Sequence, residues 1–371
     1  MQDKKVWKKF LIQELSVTLI LMIAVAALVV SVDPFFHYHG PLKGISYILN
    51  NERYQNNGIM RNCEYDALVT GTSMSENFNT SLVDELFGVN SVKATYAGGY
   101  YKEIGDAERQ ALSYNPDLSV VIRSIDLFFA LTDKDYRNPG AADPVFLNDD
   151  DPFNDDSYIY NADVLFDYVN AEISRTVRGV PADTFDSYMR FAEERPLGPA
   201  YALQMVLENT GGEIPDAPGL EKYTDQSGLT SEEKEMLLEN IRANLTANIA
   251  ENPDVEFYYF YPPYSIGDWY YNYVVEGKFP AYIETMEIIT EELLKYDNVR
   301  LFCFFDETDM VTDLGNYSDM QHYSGEISDR ILRWMAAGEH ELKADSYMEY
   351  FDGIEAFYSE YDYNRMFDGL R

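Results

Sequence analysis

The chain has 371 residues, enough for about two domains. Its 64 acidic and 28 basic side chains give a formal charge of −36, which excludes nucleic acid as a favoured partner, because phosphate binding needs clustered lysine and arginine. Aromatic residues make up 15% of the chain and argue against disorder; the acidity then reads as a solvated surface, with attraction of cations as the alternative.

The N-terminus carries Lys4, Lys5, Lys8 and Lys9, and Leu15 to Val32 then runs without a charge, the length and composition of a membrane-spanning helix. Lysines before the run and Asp33 after it predict a single-pass cell-membrane protein, N-terminus in the cytoplasm and the bulk outside. A cleaved signal peptide is the rival; its apolar region would be shorter, and the Ala24-Val-Ala26 triplet lies mid-run, so residues 1–32 read as cytoplasmic lysines plus an uncleaved anchor.

Residues 33–62 mix turn formers with unperiodic aromatics and read as a membrane-proximal connector. His37 and His39 have the spacing of a metal pair, but no further Cys/His cluster accompanies them, and no metal site is expected. Cys63 and Cys303 are permitted to pair outside the cytoplasm; Cys303 lies in the buried-looking run VRLFCFF, which favours two inert thiols and leaves a bridge open.

From residue 63 to 340 the chain alternates. Five short runs rich in Val, Ile, Phe and Tyr (DALVTG, SVKATYAG, LSVVIRS, VEFYYFYPP, NVRLFCFFD) read as buried parallel strands. Helix-like stretches begin at Tyr101, Thr230, Phe279 and Ser324, the second with Thr230 and Glu233 spaced as a capping box. The alternation predicts an α/β three-layer sandwich with a mostly parallel sheet. It is interrupted at about residues 132–229, an inserted cap with helical patches around Asp163–Arg178 and Thr184–Glu194. Within it, the polar run Asn148–Asp151 lacks the spacing of an EF-hand and reads as solvated loop. Residues 341–371, with aromatics at near-helical spacing, form a tail that packs on the core by default or docks a partner.

In an open α/β sheet, ligands bind beyond the carboxyl ends of the strands, where the turn after DALVTG delivers Ser73. Gly71 allows a tight turn there, and the residues alone leave nucleophile and helix N-cap both open for the serine. A serine nucleophile needs a base held by a third group. Of the four histidines, His322 is the one directly after the last strand, with Asp319 three residues before it; a helix-capping Asp-x-x-His remains the alternative.

Gly-Thr-Ser73-Met after the first strand, Gly98-Gly99 after the second and Asp319-Met-Gln-His322 before the last helix together resemble the SGNH/GDSL hydrolase superfamily. The anchor, PPYS at Pro262–Ser265 and the HYSGEI continuation are most similar to its membrane-anchored branch, which includes the D-alanyl-lipoteichoic acid biosynthesis protein and the alginate O-acetyltransferases. The likeness spans about residues 61–135 and 236–337. It implies an SGNH-like fold with Ser73 as nucleophile, His322 as general base and acid, and Asp319 as its orienting partner. It also implies an oxyanion hole of the Ser73 N–H and the N–H of Gly98 or Gly99, and no cofactor.

The chain departs from the pattern after the third strand, where IRSIDLFF replaces a Gly-x-Asn-Asp block; Ser124 or Asp126 stands there, and neither is an amide donor. Position 72 is Thr where the superfamily motif has Asp. Tyr264 and Ser265 follow the fourth strand and either face the crevice or pack as a rigid strand exit. Arg123 either binds an anionic substrate group or forms a buried salt bridge. The expected function is an extracytoplasmic, membrane-anchored acyl-ester enzyme, O-acyltransferase or esterase, acting on a cell-envelope glycopolymer. A transferase implies a multispanning membrane O-acyltransferase as partner. The alternative is a catalytically silent surface protein that binds envelope polymer or scaffolds an assembly.

Overall fold

The computed structural model describes residues 2–142, 144–149, 151–192, 194–217 and 227–370. It divides into two compact units, Met1–Glu64 with Ala141–Thr184, and Tyr65–Gly140 with Phe185–Arg371.

The second unit is α/β. Five strands, β1 (Ala67–Gly71), β2 (Ser91–Thr95), β3 (Val120–Ser124), β4 (Glu256–Tyr261) and β5 (Val299–Cys303), form one sheet in the order β2-β1-β3-β4-β5. Every pairing is parallel, where the sequence reads only as mostly parallel. Each residue of β1, β2 and β3 is buried, Lys93 and Arg123 included, so both faces of the sheet are covered, and β1 and β3 each open on a continuous apolar run. Thr80–Phe87 packs on Gly325–Ala337, while Tyr101–Tyr114 packs on the helical run Ser231–Glu251 and that run on Phe279–Leu293, an arrangement consistent with three layers. The expected capping box is present: Glu233 N donates to Thr230 Oγ1 and Thr230 N to Glu233 Oε2.

The tail belongs to this core. The helix Tyr347–Glu360 packs on Phe279–Leu293, and Tyr358 stacks on Trp269 with ring centroids 3.9 Å apart. His340 and Leu342 fasten the outer edge of β5 through Cys303 N to His340 O and Leu342 N to Leu301 O.

The inserted segment is shared between the units: 141–184 folds with the N-terminal residues, while 132–140 and 185 onward stay with the sheet. Residues 218–226, near its end, lie outside the described residues. The helical patch expected at Thr184–Glu194 is not found; the described residues there are turns, and Met189 has φ 56°, which a helix does not admit. Contacts to the sheet unit replace its helical bonds, with Phe191 N donating to Asn77 Oδ1 and Asp186 accepting from Ser81 N and Thr80 Oγ1.

In the first unit, α1 (Gln2–Val32) contains a 29-residue stretch long and apolar enough to cross a membrane. Its last turns are also core: Val29 and Val32 are buried with Phe35, Leu147, Tyr158, Val164 and Val169. The connector is more ordered than its composition suggests, with a helix at Glu52–Asn62 and a buried Asp33 that accepts from the N–H groups of His37, Tyr38 and His39 and from Tyr158 OH. His37 Nε2 meets Asp155 Oδ1, whereas the His39 ring meets the carbonyls of Val30 and Gly40, so the two rings have different partners. Of the polar run, Asn148 ends a short helix, Asp149 and Asp151 cap the following turns, and Asp150 lies outside the described residues. Cys63 and Cys303 are free thiols, and burial pushes both up to about 12.

Candidate active site

The strand order reverses direction at β1, which has β2 on one side and β3 on the other, and a crevice is expected beyond the carboxyl ends at such a point. β1 ends at Gly71, whose φ of 121° is closed to residues with a Cβ; a Cβ here would also strike Ser124 Oγ. The chain then turns into a short 3₁₀ helix, Ser73–Ser75. Thr72 is its N-cap, its hydroxyl accepting from Met74 N at 3.2 Å. Ser73 is therefore relieved of capping.

Ser73 Oγ lies 2.7 Å from His322 Nε2, and His322 Nδ1 lies 2.7 Å from Asp319 Oδ2. The assignment that satisfies all three groups has Nδ1–H donating to the carboxylate and Nε2 accepting from the serine hydroxyl. Asp319 Oδ1 also accepts from the N–H of Gln321 at 2.9 Å and of His322 at 2.8 Å, so the carboxylate builds the turn that presents the imidazole. Burial alone would raise the Asp319 carboxyl, but the His322 bonds and charge and the backbone donors outweigh it and hold it below the ordinary value. The following helix is capped by Ser324, not by Asp319.

The other residues picked out from sequence are nearby, in different roles. Asp126 is buried and accepts from three hydroxyls: Thr72 Oγ1 at 2.7 Å, Ser124 Oγ at 3.0 Å and Tyr264 OH at 2.5 Å. Thr72 N in turn donates to Ser124 Oγ at 3.2 Å. Ser124 and Asp126 thus form the floor that holds the Ser73 turn, and both are turned inward to it. Burial raises the Asp126 carboxyl against the three donors. Tyr264 and Ser265 are almost wholly buried and do not face a crevice. Ser265 donates through its N–H and its hydroxyl to Met320 O, gripping the Asp319–His322 turn from the exit of β4. Of the two glycines, Gly99 uses its N–H in a turn to Tyr96 O at 2.8 Å, which leaves Gly98. The Ser73 N–H and Gly98 N–H have no partner among the described residues, and Gly98, at φ 59°, takes Asn138 Nδ2 on its carbonyl.

Arg123 resolves as a buried ion pair. It is fully buried with Glu108, at 3.1 Å, and has no path to a substrate.

Three supports were not visible in the sequence. Tyr323 OH donates to Met74 O at 2.7 Å, tying the residue after His322 to the residue after Ser73. Phe191, from the inserted segment, meets the His322 ring edge-on at 5.3 Å. Arg195 stacks on Phe191 at 4.1 Å and reaches Asp319 Oδ2 at 3.6 Å. A lone Phe and Arg in a loop carry no local signal; only their proximity gives them a role.

Behind the turn, Gln321 Nε2 donates to Asp268 Oδ1 at 3.1 Å. Burial pushes the Asp268 carboxyl up to about 7, with Asn272 and Gln321 opposing and the Asp319 and Asp126 charges adding to it. The folded state therefore holds a proton that the unfolded chain has released, and the stabilisation is full below about pH 4 and lost as pH rises through about 7. Glu172, pushed up to about 8 by burial, acts with the same sign in both wild type and variant. Asp268→Asn removes one contribution, so between pH 5 and pH 8 the melting temperature of wild type is expected to fall more steeply than that of the variant. Parallel slopes in thermal unfolding would remove the assignment.

No protein-family model, curated protein or solved structure matches this chain.

Proposed function

We propose that the chain is a membrane-anchored, SGNH-like acyl-ester enzyme, an O-acyltransferase or esterase, that acts outside the cytoplasm on a cell-envelope glycopolymer. The observation that supports it is the unbroken relay Ser73–His322–Asp319, with both links at 2.7 Å, at the carboxyl end of a parallel sheet. In this reading Ser73 Oγ attacks the acyl carbonyl carbon while its proton passes to His322 Nε2. The tetrahedral intermediate carries its negative charge toward the N–H groups of Ser73 and Gly98. Collapse breaks the ester C–O bond, and the imidazolium returns the proton to the departing alcohol. Water or a polymer hydroxyl then attacks the acyl-serine as His322 takes its proton, and collapse breaks the acyl C–Oγ bond while His322 returns the proton to Ser73 Oγ, which gives hydrolysis or transfer. No metal or cofactor enters these steps. For transfer, a multispanning O-acyltransferase would supply the acyl group through the membrane. The lysines at positions 4, 5, 8 and 9 support a cytoplasmic N-terminus in this reading. Val29 and Val32, buried in the core of the first unit, favour an uncleaved anchor over a signal peptide.

The second reading, a catalytically silent polymer-binding surface protein, is favoured by the inward turn of Ser124 and Asp126 and the engaged Gly99 N–H, which leave a small oxyanion hole. Labelling of the full-length chain with a serine-reactive fluorophosphonate separates the two. Wild type is expected to label and Ser73→Ala to remain unlabelled. Equal labelling of both removes the nucleophile, and a folded wild type that does not label selects the silent reading.

A further inference from the structure

The membrane anchor does not end in solvent. If Lys9 marks the cytoplasmic headgroups, a hydrocarbon layer of ~30 Å takes about 20 helical residues, from Phe10 to about Val29. Val25 and Val29 pack, in one core, with Val164, Leu165 and Val169 of the helical stretch that runs from Val164 to Val177. That stretch is therefore held at the depth where the span leaves the hydrocarbon. Its inner face contributes Val164, Val169 and Glu172, whereas Phe166 (63% exposed), Ile173 and Val177 (82% exposed) lie on the opposite side at spacings of seven and four. Tyr160 before it and Val180 after it are also exposed. Single exposed apolar side chains need no explanation, but a stripe of them beside a membrane span does. Arg178, exposed at the end of the helix, is a cation of the kind that phosphate headgroups attract.

We propose that this stripe, Phe166, Ile173 and Val177 with Tyr160 and Val180, is a second membrane contact that seats the first unit in the outer interface of the bilayer. The inference rests on the anchor reading. Asp163 and Asp167, exposed beside Phe166, limit the seat to the headgroup level, because a carboxylate in hydrocarbon is too costly. A seated unit has a fixed orientation to the membrane, since one span allows rotation and tilt and two contacts do not.

The test uses the full-length chain in phosphatidylglycerol-containing nanodiscs, with Cys63→Ser and single nitroxide-labelled cysteines. Buried Cys303 stays unlabelled. Phe166→Cys, Ile173→Cys and Val177→Cys are compared with Leu19→Cys inside the span and exposed Asp254→Cys on the sheet unit. Expected at all three sites is an oxygen-over-nickel-chelate accessibility several-fold above Asp254→Cys and below Leu19→Cys. Three sites equal to Asp254→Cys overturn the seat while leaving the anchor. Three sites shielded from both reagents assign the stripe to a protein partner and also overturn it. An aqueous reading at Leu19→Cys removes the anchor and the inference together.

Discussion

Ser73→Ala is expected to lower turnover of an O-acyl ester by about 10⁶-fold while the melting temperature stays within about 2 °C of wild type. The two effects separate because the hydroxyl has one partner, His322 Nε2, and no structural duty. The turn that carries it is held by others: Thr72 caps it, Ser124 and Asp126 brace it, and Tyr323 clamps the residue that follows. His322→Ala is expected to cause a comparable loss. The Ser73→Ala/His322→Ala double variant should lose no more than either alone, since the two act as one proton relay. Asp319→Asn should cost less, about 10⁴-fold, because nucleophile and base remain and the imidazole tautomer is what suffers. The measurement is kcat/KM on an acetylated oligosaccharide or a small acetyl ester. Losses that add independently, or a Ser73→Ala protein that keeps its activity, would break the relay model.

The second large effect is on stability. Arg123→Met is expected to cost about 3–5 kcal/mol, because it strands the Glu108 carboxylate in the interior. Glu108 and Arg123 are both fully buried, and the carboxylate also accepts from Tyr259 OH and Asn248 Nδ2. Two neutral donors do not offset a buried charge left without its cation. Adding Glu108→Gln to Arg123→Met should recover most of the loss, since an amide keeps the acceptor for Tyr259 without the charge. Chemical denaturation of the single and double variants gives both numbers. A residue that instead bound an anionic substrate would show weakened substrate binding at unchanged stability. That outcome, or a double variant no more stable than the single, would refute the assignment.

Strands were the most legible feature. A strand covered on both faces is rich in apolar residues, so DALVTG, LSVVIRS and NVRLFCFFD announced β1, β3 and β5 to within two residues at their starts and three at their ends. The capping box at Thr230 was legible for a related reason: the bonds that make it span three residues. Asp319 and His322 were also within reach, because one turn joins them. The conformation of Thr184–Glu194 is not legible locally, because its polar groups are satisfied by Asn77 and the Thr80 turn, more than a hundred residues away.

What the amino-acid order determined alone was local: an apolar N-terminal span, five buried strands, the helices between them, and an imidazole beside a carboxylate. Periodicity, capping and turn chemistry act over a few residues and can be read there. Folding decided the rest. It joined Ser73 to a histidine 249 positions away, and turned Ser124, Asp126, Tyr264 and Ser265 into scaffold. It also engaged the Gly99 amide and paired Arg123 with Glu108. Whether a polar group becomes reactive, structural or charge-compensating depends on which distant group reaches it once water is gone, and that is a property of packing.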